Sequence, residues 1–146
     1  MILLDANLLL YAYDASSEHH GRARAWLEDV LSGSDPVGLA WVTLLAFLRI
    51  STNPRALVRP LSLAEATAIV SSWLVQPCVS LLAPGDRHWE LLSGLLEPAQ
   101  ARGPIVMDAH LAALALEHGA VLASNDRDFS RFEGLRTLNP LAGEPG

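Results

Sequence analysis

Four aspartates stand at points of the chain where the elements of a sheet are predicted to end or begin. Asp5 directly follows a short apolar run at the N-terminus, Asp108 stands where a helix is predicted to start, and Asp126 and Asp128 follow a later apolar run. In open parallel sheets, ligands bind outside the carboxyl ends of the strands. We therefore expect these carboxylates to lie together at one edge of the sheet.

Carboxylates brought together in this way repel one another. Two like charges about 4 Å apart repel by ~4 kcal/mol at an effective dielectric of ~20, and each carboxylate raises the pKa of its neighbours. A divalent cation removes that repulsion and converts it into affinity. Because the ligand atoms are all oxygens, Mg²⁺ or Mn²⁺ is favoured over Zn²⁺.

Each acid also has a purely structural interpretation. Asp108 would serve as a helix N-cap, and the segment 124–128 (Ser-Asn-Asp-Arg-Asp) suits an Asx-rich turn. Asp5 is harder to explain in this way, because a carboxylate directly after a buried strand needs a partner. His110 is expected on the surface of a helix.

The composition excludes several classes of protein. All ten basic residues are arginine, which excludes P-loop NTPases and Schiff-base enzymes and argues against phosphatases that use a lysine beside an acceptor aspartate. The single cysteine, Cys78, excludes an internal disulfide and a cysteine-rich zinc site. The net charge of −6 argues against broad electrostatic binding of nucleic acid. Arg49, Arg55 and Arg59 are either a local phosphate-contacting patch or ordinary solvated surface.

The apolar pattern predicts strands that alternate with helices, which indicates a parallel α/β sheet of four to five strands. The strands are expected at 2–4, 37–40, 79–82, 120–123 and 135–138. The helices between them include one that begins with a capping box at Ser62 and Glu65. Another is expected to begin at Asp86 as its cap and to bury Trp89.

The length of 146 residues fits one domain. We expect this domain to span residues 1–140, followed by a flexible C-terminal tail at 141–146. No apolar run approaches the ~20 residues that cross a bilayer, and no basic segment precedes an apolar stretch at the N-terminus. The expected location is the cytoplasm, without a membrane partner.

Four segments, in this order and at this chain length, follow the pattern of one family. They read Ile-Leu-Leu-Asp-Ala-Asn at 2–7, Phe-Leu-Arg-Ile-Ser-Thr-Asn-Pro-Arg at 47–55, Met-Asp-Ala-His-Leu-Ala-Ala-Leu-Ala at 107–115 and Ala-Ser-Asn-Asp-Arg-Asp-Phe at 123–129. The chain thereby resembles the PIN-domain nucleases, and within them the VapC toxins of toxin–antitoxin pairs. The resemblance implies a PIN-like three-layer fold, with a central, mainly parallel sheet flanked by helices. It also implies a Mg²⁺- or Mn²⁺-dependent endoribonuclease that a cognate VapB-type antitoxin holds inactive.

Carried over by position, the resemblance implies that Asp5, Asp108 and Asp126 bind the metal and act in catalysis, with Asp128 as a further catalytic acid. The residues expected to support these acids are Asn7, Thr43, Ser124 and Arg49. Arg49 or Arg55 would position the substrate phosphate. Homodimers are common in the family, and the expected pairing face includes the helices at 62–74 and 86–97.

One position departs from the family pattern. The family usually places a glutamate on the helix after the second strand, in the pattern hydroxyl-x-x-Glu. Here the segment 43–46 reads Thr-Leu-Leu-Ala, so Ala46 stands at the position of the glutamate. The site therefore has one carboxylate fewer, and either Asp128 compensates or only one metal ion binds tightly.

Two hypotheses from different classes follow. The first is metal-assisted hydrolysis of an RNA phosphodiester bond by the clustered acids. The alternative is a catalytically impaired PIN domain that binds the antitoxin or RNA, with Ala46 as the sign of the loss. A third, an acyl-aspartate phosphatase on a similar sheet, is disfavoured because the chain has no lysine and a lone aspartate in the segment 5–7.

Overall fold

A five-stranded sheet, in which every pair of neighbouring strands is parallel, forms the centre of the protein. The computed structural model describes residues 1–142. The strand order is β3-β2-β1-β4-β5, with β1 at Ile2–Leu4, β2 at Val37–Ala40, β3 at Val79–Leu82, β4 at Val121–Ala123 and β5 at Thr137–Leu138. The predicted α/β class is confirmed, and the sheet is parallel throughout.

Within residues 1–142, six α-helices and one short 3-10 helix surround the sheet. Their bounds are α1 Ala6–Tyr13, α2 His20–Ser32, α3 Trp41–Ser51, α4 Leu63–Leu74, α5 His88–Leu96, α6 Pro104–His118 and the 3-10 helix Arg127–Arg131. Helices α1 to α4 supply one buried apolar cluster, and α5, α6 and the 3-10 helix supply a second. Leu4 belongs to the first cluster and Leu3 to the second. Since successive strand residues point to opposite faces, the sheet separates the two clusters, and the fold has the predicted three layers.

Three aromatic side chains pack against one another in the first cluster. The ring of Phe47 lies edge-on to that of Trp73 with centroids 4.7 Å apart, and Tyr13 contacts both rings at 5.9 Å. Phe47 is fully buried and Trp73 almost so. These contacts join α1, α3 and α4, so they fix α3 against the sheet.

The pairing of β1 with β4 places the two ends that carry acids side by side. Leu4 is in register with Ala123, and the Asp5 amide donates a 2.9 Å hydrogen bond to the Ala123 carbonyl. Asp5 and Ser124, the residues that follow the two strands, are therefore neighbours, as the sheet topology predicts.

Three local predictions are wrong. Helix α6 begins at Pro104, whose missing N–H suits the first turn, so Asp108 lies inside the helix and is not its N-cap. The N-cap position of helix α5 is held by Arg87, whose side chain makes no capping hydrogen bond, and not by Asp86. Trp89 is 70% exposed, so it is not part of the core.

The C-terminal boundary lies slightly beyond the predicted one. Leu141 is 6% exposed and belongs to the first apolar cluster, and its carbonyl accepts a hydrogen bond from Arg22. The packed domain therefore extends past residue 140. Residues 143–146 of the predicted tail lie outside the described residues. Within residues 1–142, no helix combines the length and the apolar character needed to cross a membrane.

Removing the Phe47 side chain should strongly destabilise the protein, because the fully buried ring loses its packing contacts and leaves a cavity that the neighbouring side chains fill only in part. We expect Phe47→Ala to lower the free energy of unfolding by about 3–5 kcal/mol in urea titrations. Val58→Ala is the control, since Val58 is 83% exposed and should change stability by less than about 0.5 kcal/mol. A loss below 1 kcal/mol for Phe47→Ala would contradict this packing.

Candidate functional site

Three carboxylates form a tight group at the carboxyl edge of the sheet. Asp108 projects from α6, Asp126 follows β4, and Asp128 lies in the 3-10 helix. Each offers a carboxylate oxygen within 4.8 Å of those of the other two. Asp108 is half-buried, whereas Asp126 and Asp128 are exposed, so the group opens to solvent and a ligand can enter from that side.

Asp5 lies beside this group but is held separately. One of its carboxylate oxygens caps α1 by accepting a hydrogen bond from the Ala6 amide at 2.8 Å. The other accepts a hydrogen bond from the Ser124 hydroxyl at 2.6 Å. Burial raises the pKa of Asp5, the nearby Asp126 charge raises it further, and the two hydrogen bonds oppose this.

The predicted metal-binding set and the tightest geometric set therefore differ by one residue. Within residues 1–142, the structure groups Asp128 with Asp108 and Asp126 inside 4.8 Å, and does not include Asp5 in such a group. Asp5 is nevertheless electrostatically coupled to both Asp108 and Asp126. The charges of the four acids therefore act on one another, and three of the acids are close enough to contact a single small ion.

Asp108 experiences the strongest effect of this field. Partial burial and the charges of Asp126, Asp5 and Asp128, in that order, raise its pKa to about 6, and Arg131 opposes them. Arg131 contacts Asp128 at 3.6 Å in a half-exposed ion pair. Within residues 1–142, no basic side chain forms an ion pair with Asp5, Asp108 or Asp126.

Ser124 connects the strand ends to the acids. It is 5% exposed, and besides donating to Asp5 its oxygen accepts hydrogen bonds from the Asp126 amide at 2.9 Å and from the Asn7 side chain at 3.3 Å. The Asn7 side-chain oxygen in turn accepts a hydrogen bond from the Asn125 backbone amide. These bonds fix the orientation of Asp5 and the start of the loop that carries Asp126.

The loop after β4 also forms the Asx turn that its composition predicts. The Asp126 carboxylate accepts a 2.8 Å hydrogen bond from the Asp128 amide and caps the 3-10 helix. The turn and the acid group are compatible, because a carboxylate that caps with one oxygen has a second oxygen for another ligand. The structural interpretation of this segment is confirmed, and the functional one stays a prediction.

A cavity of about 490 Å³ adjoins the acids, between α3 and α6. Asp5 and Asp108 line one part of it, and Ala46 and Arg49 line the part formed by α3. Arg49 is exposed. Thr43 also reaches the cavity, but it is buried and its hydroxyl donates a 3.4 Å hydrogen bond to the Leu4 carbonyl, so it joins α3 to β1.

The donor set fits a hard divalent cation. The ligands on offer are carboxylate oxygens, three of them converge within 4.8 Å, and the burial of Asp5 and Asp108 makes their negative charge unfavourable without a counter-charge. Mg²⁺ and Mn²⁺ prefer such oxygens. Repulsion among these carboxylates is therefore present in the folded protein and favours a divalent cation beside them.

One polar contact was not predictable from the sequence. His88 Nε2 lies 2.9 Å from His110 Nδ1. His110 is half-buried, so the prediction that it lies on the surface of the helix is wrong. Burial and the neighbouring His88 lower the pKa of His110. The contact depends on the packing of α5 against α6, for which the sequence carries no local signal, and it pins the first turn of α5.

Comparisons with known proteins agree on one family. The PIN domain family matches residues 2–135. Ribonuclease VapC37 of Mycobacterium tuberculosis is 46% identical over 142 residues, which cover 97% of this chain and 99% of that protein. Ribonuclease VapC33 of the same species is 43% identical over 141 residues, with coverage of 97% and 99%.

Solved structures agree with the sequence relatives on the fold. VapBC2 from Rickettsia felis, bound to a promoter DNA fragment, superposes with a TM-score of 0.68 at 18% identity, covering 95% of this chain and 98% of that chain. Mycobacterium tuberculosis VapC20, described as a sarcin-ricin loop cleaving toxin, gives a TM-score of 0.64 at 19% identity, covering 93% and 99%.

Neutralising Asp108 should stabilise the metal-free protein. A pKa raised to about 6 means that the ionised carboxylate opposes folding. Partial exposure to water limits this opposition to about 1 kcal/mol. We expect Asp108→Asn to raise the free energy of unfolding by about that amount at pH 8 in EDTA, measured by urea titration.

The effect of Asp108 on stability depends on pH, because its carboxyl group has a higher pKa in the folded than in the unfolded protein. Unfolded aspartate titrates near pH 4, so the unfavourable contribution of Asp108 is fully present above about pH 6 and disappears as the pH falls towards 4. The advantage of Asp108→Asn should shrink over the same range. The control Asp35→Asn alters an exposed acid outside the site and should have little effect at either pH. A destabilised Asp108→Asn variant at pH 8 would contradict the repulsion.

Proposed function

This chain belongs to the PIN domain family, and we propose that it is a VapC-type toxin, a divalent-metal-dependent endoribonuclease that a cognate VapB-type antitoxin neutralises. The group of Asp108, Asp126 and Asp128 at the carboxyl edge of a parallel sheet carries the proposal. The names of the relatives support it, since VapC37 and VapC33 are called ribonucleases and align over nearly the whole chain. We place the activity in the cytoplasm, where RNA is available.

Asp108, Asp126 and Asp128 would hold one Mg²⁺ or Mn²⁺ ion, and Asp5 would add its charge and a further oxygen from the adjacent strand end. When bound, the ion would lower the pKa of a water molecule and would neutralise charge on the phosphate that is hydrolysed. No side-chain nucleophile is required for this reaction. The metal identity is part of the proposal and is supported by the carboxylate donor set.

The protein's own contribution is to hold the acids in place before substrate arrives. Ser124 donates to Asp5 and accepts from the Asp126 amide, so one buried hydroxyl sets the relative position of two strand ends. Asn7 completes this arrangement by donating to Ser124 and accepting from the Asn125 amide. Fixed ligands avoid reorganisation during the reaction, which is how catalytic sites gain most of their electrostatic effect.

Arg49 would position the substrate phosphate. It lines the same cavity as Asp5 and Asp108, it is exposed, and within the described residues it makes no ion pair with an acid. A free guanidinium next to a cation site can form bidentate hydrogen bonds to phosphate oxygens. Among the side chains that line the cavity, Arg49 is the one with positive charge.

The acid group also determines what the antitoxin must present. A basic segment would complement the cluster of carboxylates and speed association, while apolar side chains would cover the exposed Leu45 and Met107 at the cavity. For the proposed homodimer, exposed apolar side chains are available on the predicted pairing helices, namely Leu63 and Leu74 of α4 and Trp89 of α5.

Substitution of the acids tests the reaction. We expect Asp126→Asn and Asp5→Asn each to lower kcat/KM for Mg²⁺-dependent RNA cleavage by at least about 100-fold, since a metal-held charge worth several kcal/mol is lost. Mn²⁺ titration calorimetry should show weaker binding for both variants. Asp35→Asn, an exposed acid away from the site, should behave like the unaltered protein.

Two results would decide against the proposal. Full cleavage activity in Asp126→Asn with an intact fold would remove the acids from the mechanism. If the unaltered protein neither binds Mn²⁺ nor cleaves any RNA, the result would favour the impaired binding module that Ala46 first suggested.

Substitution of Arg49 tests the phosphate contact separately. A lost charge-assisted hydrogen bond of about 1.5–3 kcal/mol corresponds to a decrease of roughly 10- to 100-fold in kcat/KM for Arg49→Gln. Arg49→Lys should recover part of the loss, because it keeps the charge without the planar fork. Arg24→Gln is the control, since Arg24 pairs with Glu28 on the exposed face of α2. Equal activity of Arg49→Gln and the control would exclude the role.

A further inference from the structure

The proposed reaction does not by itself distinguish RNA from DNA. A water molecule attacks the phosphate, so the 2′-hydroxyl of the substrate takes no part in making or breaking a bond. The same acids would therefore act on the phosphates of either nucleic acid. A protein tells the two apart at a given site by contacting the 2′-hydroxyl, so a ribonuclease of this kind needs a group that makes this contact.

A second cavity, of about 320 Å³, adjoins the acid group between the 3-10 helix and β5. Ser124 and Asp126 line it at the end of β4, whereas Asp5 and Asp108 line the first cavity. The acids therefore adjoin both cavities. A nucleic-acid strand with one phosphate at the acids can place a neighbouring nucleotide in the second cavity.

Arg127 gives the second cavity a positive charge. It is the first residue of the 3-10 helix and is exposed. Arg131, at the other end of the same helix, pairs with Asp128 at 3.6 Å, whereas Arg127 forms no ion pair within residues 1–142. Its guanidinium can therefore donate two parallel hydrogen bonds to a phosphate.

Thr137 gives the same cavity a hydroxyl that the protein itself does not use. The Ser130 hydroxyl, by contrast, donates a 2.8 Å hydrogen bond to the Arg127 carbonyl. Thr137 lies in β5 and is exposed, and no hydrogen bond within the described part of the chain engages its hydroxyl. A hydroxyl is both donor and acceptor, as is the ribose 2′-hydroxyl, so the two can hydrogen-bond in either direction.

The first cavity lacks such a group among the residues that line it. The hydroxyl there is that of Thr43, which is buried and donates to the Leu4 carbonyl. The other polar side chains of the first cavity are charged, and Asp5 and Asp108 face the proposed cation. Contact with a neutral sugar hydroxyl is therefore better provided by the second cavity.

A chain of hydrogen bonds fixes the second cavity relative to the acids. The Asn139 side chain donates to Asn125 Oδ1 at 3.2 Å, and the Asn125 backbone amide donates to Asn7 Oδ1 at 3.4 Å. Asn7 in turn donates to Ser124, whose hydroxyl donates to Asp5. A nucleotide in the second cavity would therefore be held at a defined position relative to the acids.

We propose that the second cavity binds a ribose that neighbours the cleaved phosphate, with its 2′-hydroxyl hydrogen-bonded to Thr137 and its phosphate contacted by Arg127. This contact makes the protein selective for RNA over DNA. The inference rests on the proposed ribonuclease function and adds to it the residue that selects the sugar of the substrate. Thr137 acts in recognition and not in the chemical step.

Removing the hydroxyl while keeping the shape of the side chain tests the proposal. Thr137→Val does this and suits a β-strand, and Thr137→Ser is the conservative variant that keeps a hydroxyl. Thr67→Val is the matched control, because it makes the same change at an exposed position of α4. Circular dichroism and urea titration establish that each variant is folded.

The first measurement is binding of fluorescent single-stranded oligonucleotides of one sequence, made as RNA and as DNA, by anisotropy with Ca²⁺ in place of Mg²⁺. Gel electrophoresis confirms that they stay intact. We expect the unaltered protein to bind RNA about three- to tenfold more tightly than DNA, as one hydrogen bond allows. Thr137→Val should lose this preference with unchanged affinity for DNA, whereas Thr137→Ser and Thr67→Val should keep it.

The second measurement uses an RNA that the unaltered protein cleaves, resynthesised with a single 2′-deoxynucleotide on either side of the cut. At one of the two positions, kcat/KM of the unaltered protein should fall about three- to tenfold. Thr137→Val should already be impaired by that factor on the intact RNA. It should lose nothing further on the deoxy-substituted one, since the two changes remove the same hydrogen bond.

The phosphate contact is tested separately by Arg127→Gln. We expect this variant to bind RNA and DNA more weakly by the same factor, and the slope of log affinity against log salt concentration to decrease by about 1. Arg24→Gln, on the exposed face of α2, should leave the slope unchanged. An unchanged slope for Arg127→Gln would overturn the phosphate contact.

Three outcomes would overturn the contact with the 2′-hydroxyl. The first is equal binding of RNA and DNA by the unaltered protein, and the second is full RNA preference in Thr137→Val. The third is equal sensitivity of both proteins to the 2′-deoxynucleotide. If the unaltered protein prefers RNA through Thr137 in the binding measurement but cleaves no RNA, the ribonuclease proposal fails while the contact stands.

Discussion

Repulsion among carboxylates is the constraint on which the rest of the structure depends. The fold holds Asp108, Asp126 and Asp128 within reach of one another and adds Asp5 at the next strand end, although each charge makes the others less favourable. The parallel β1–β4 pairing, the packing of α6 and the buried hydroxyl of Ser124 prevent the acids from moving apart. Rigid packing thus maintains an arrangement that favours a divalent cation, and the free energy of folding absorbs the repulsion.

The alanine at position 46 alters two properties of the site at once. It removes the carboxylate that the family usually supplies from α3, which lowers the negative charge around the cation. It also leaves an apolar space between α3 and α6, with Arg49 at the same helix face. One alanine thus lowers the negative charge beside the acids and leaves space at the face of α3 that lines the cavity. Loss of charge and gain of volume have to be measured separately, because either one changes the cleavage rate.

Much of the fold could be predicted because its signals are local. Short apolar runs mark β1 to β4, whereas β5 comprises only the exposed residues Thr137 and Leu138, and the capping box at Ser62 and Glu65 forms as predicted. The interpretation of Asp108 as a cap is wrong because Pro104 starts the helix about one turn earlier. Which acids lie closest could not be predicted, since the hydrogen bonds that hold Asp5 apart involve Ala6 and Ser124. The contact of His88 with His110 and the cavity beside Ala46 arise from helix packing, which leaves no local pattern.

The charge of the acid group also relates the two proposed partners to each other. Without a cation, the carboxylates attract a basic segment such as an antitoxin would present and repel the phosphates of RNA. With a cation bound, that preference is weakened or reversed, because the ion cancels negative charge where the phosphate must approach. Binding of a basic segment and binding of the cation therefore oppose each other, and by linkage each lowers the affinity for the other by the same factor. On this argument an antitoxin inhibits in two ways, by covering the cavity and by weakening the cation's hold on Asp108 and its neighbours.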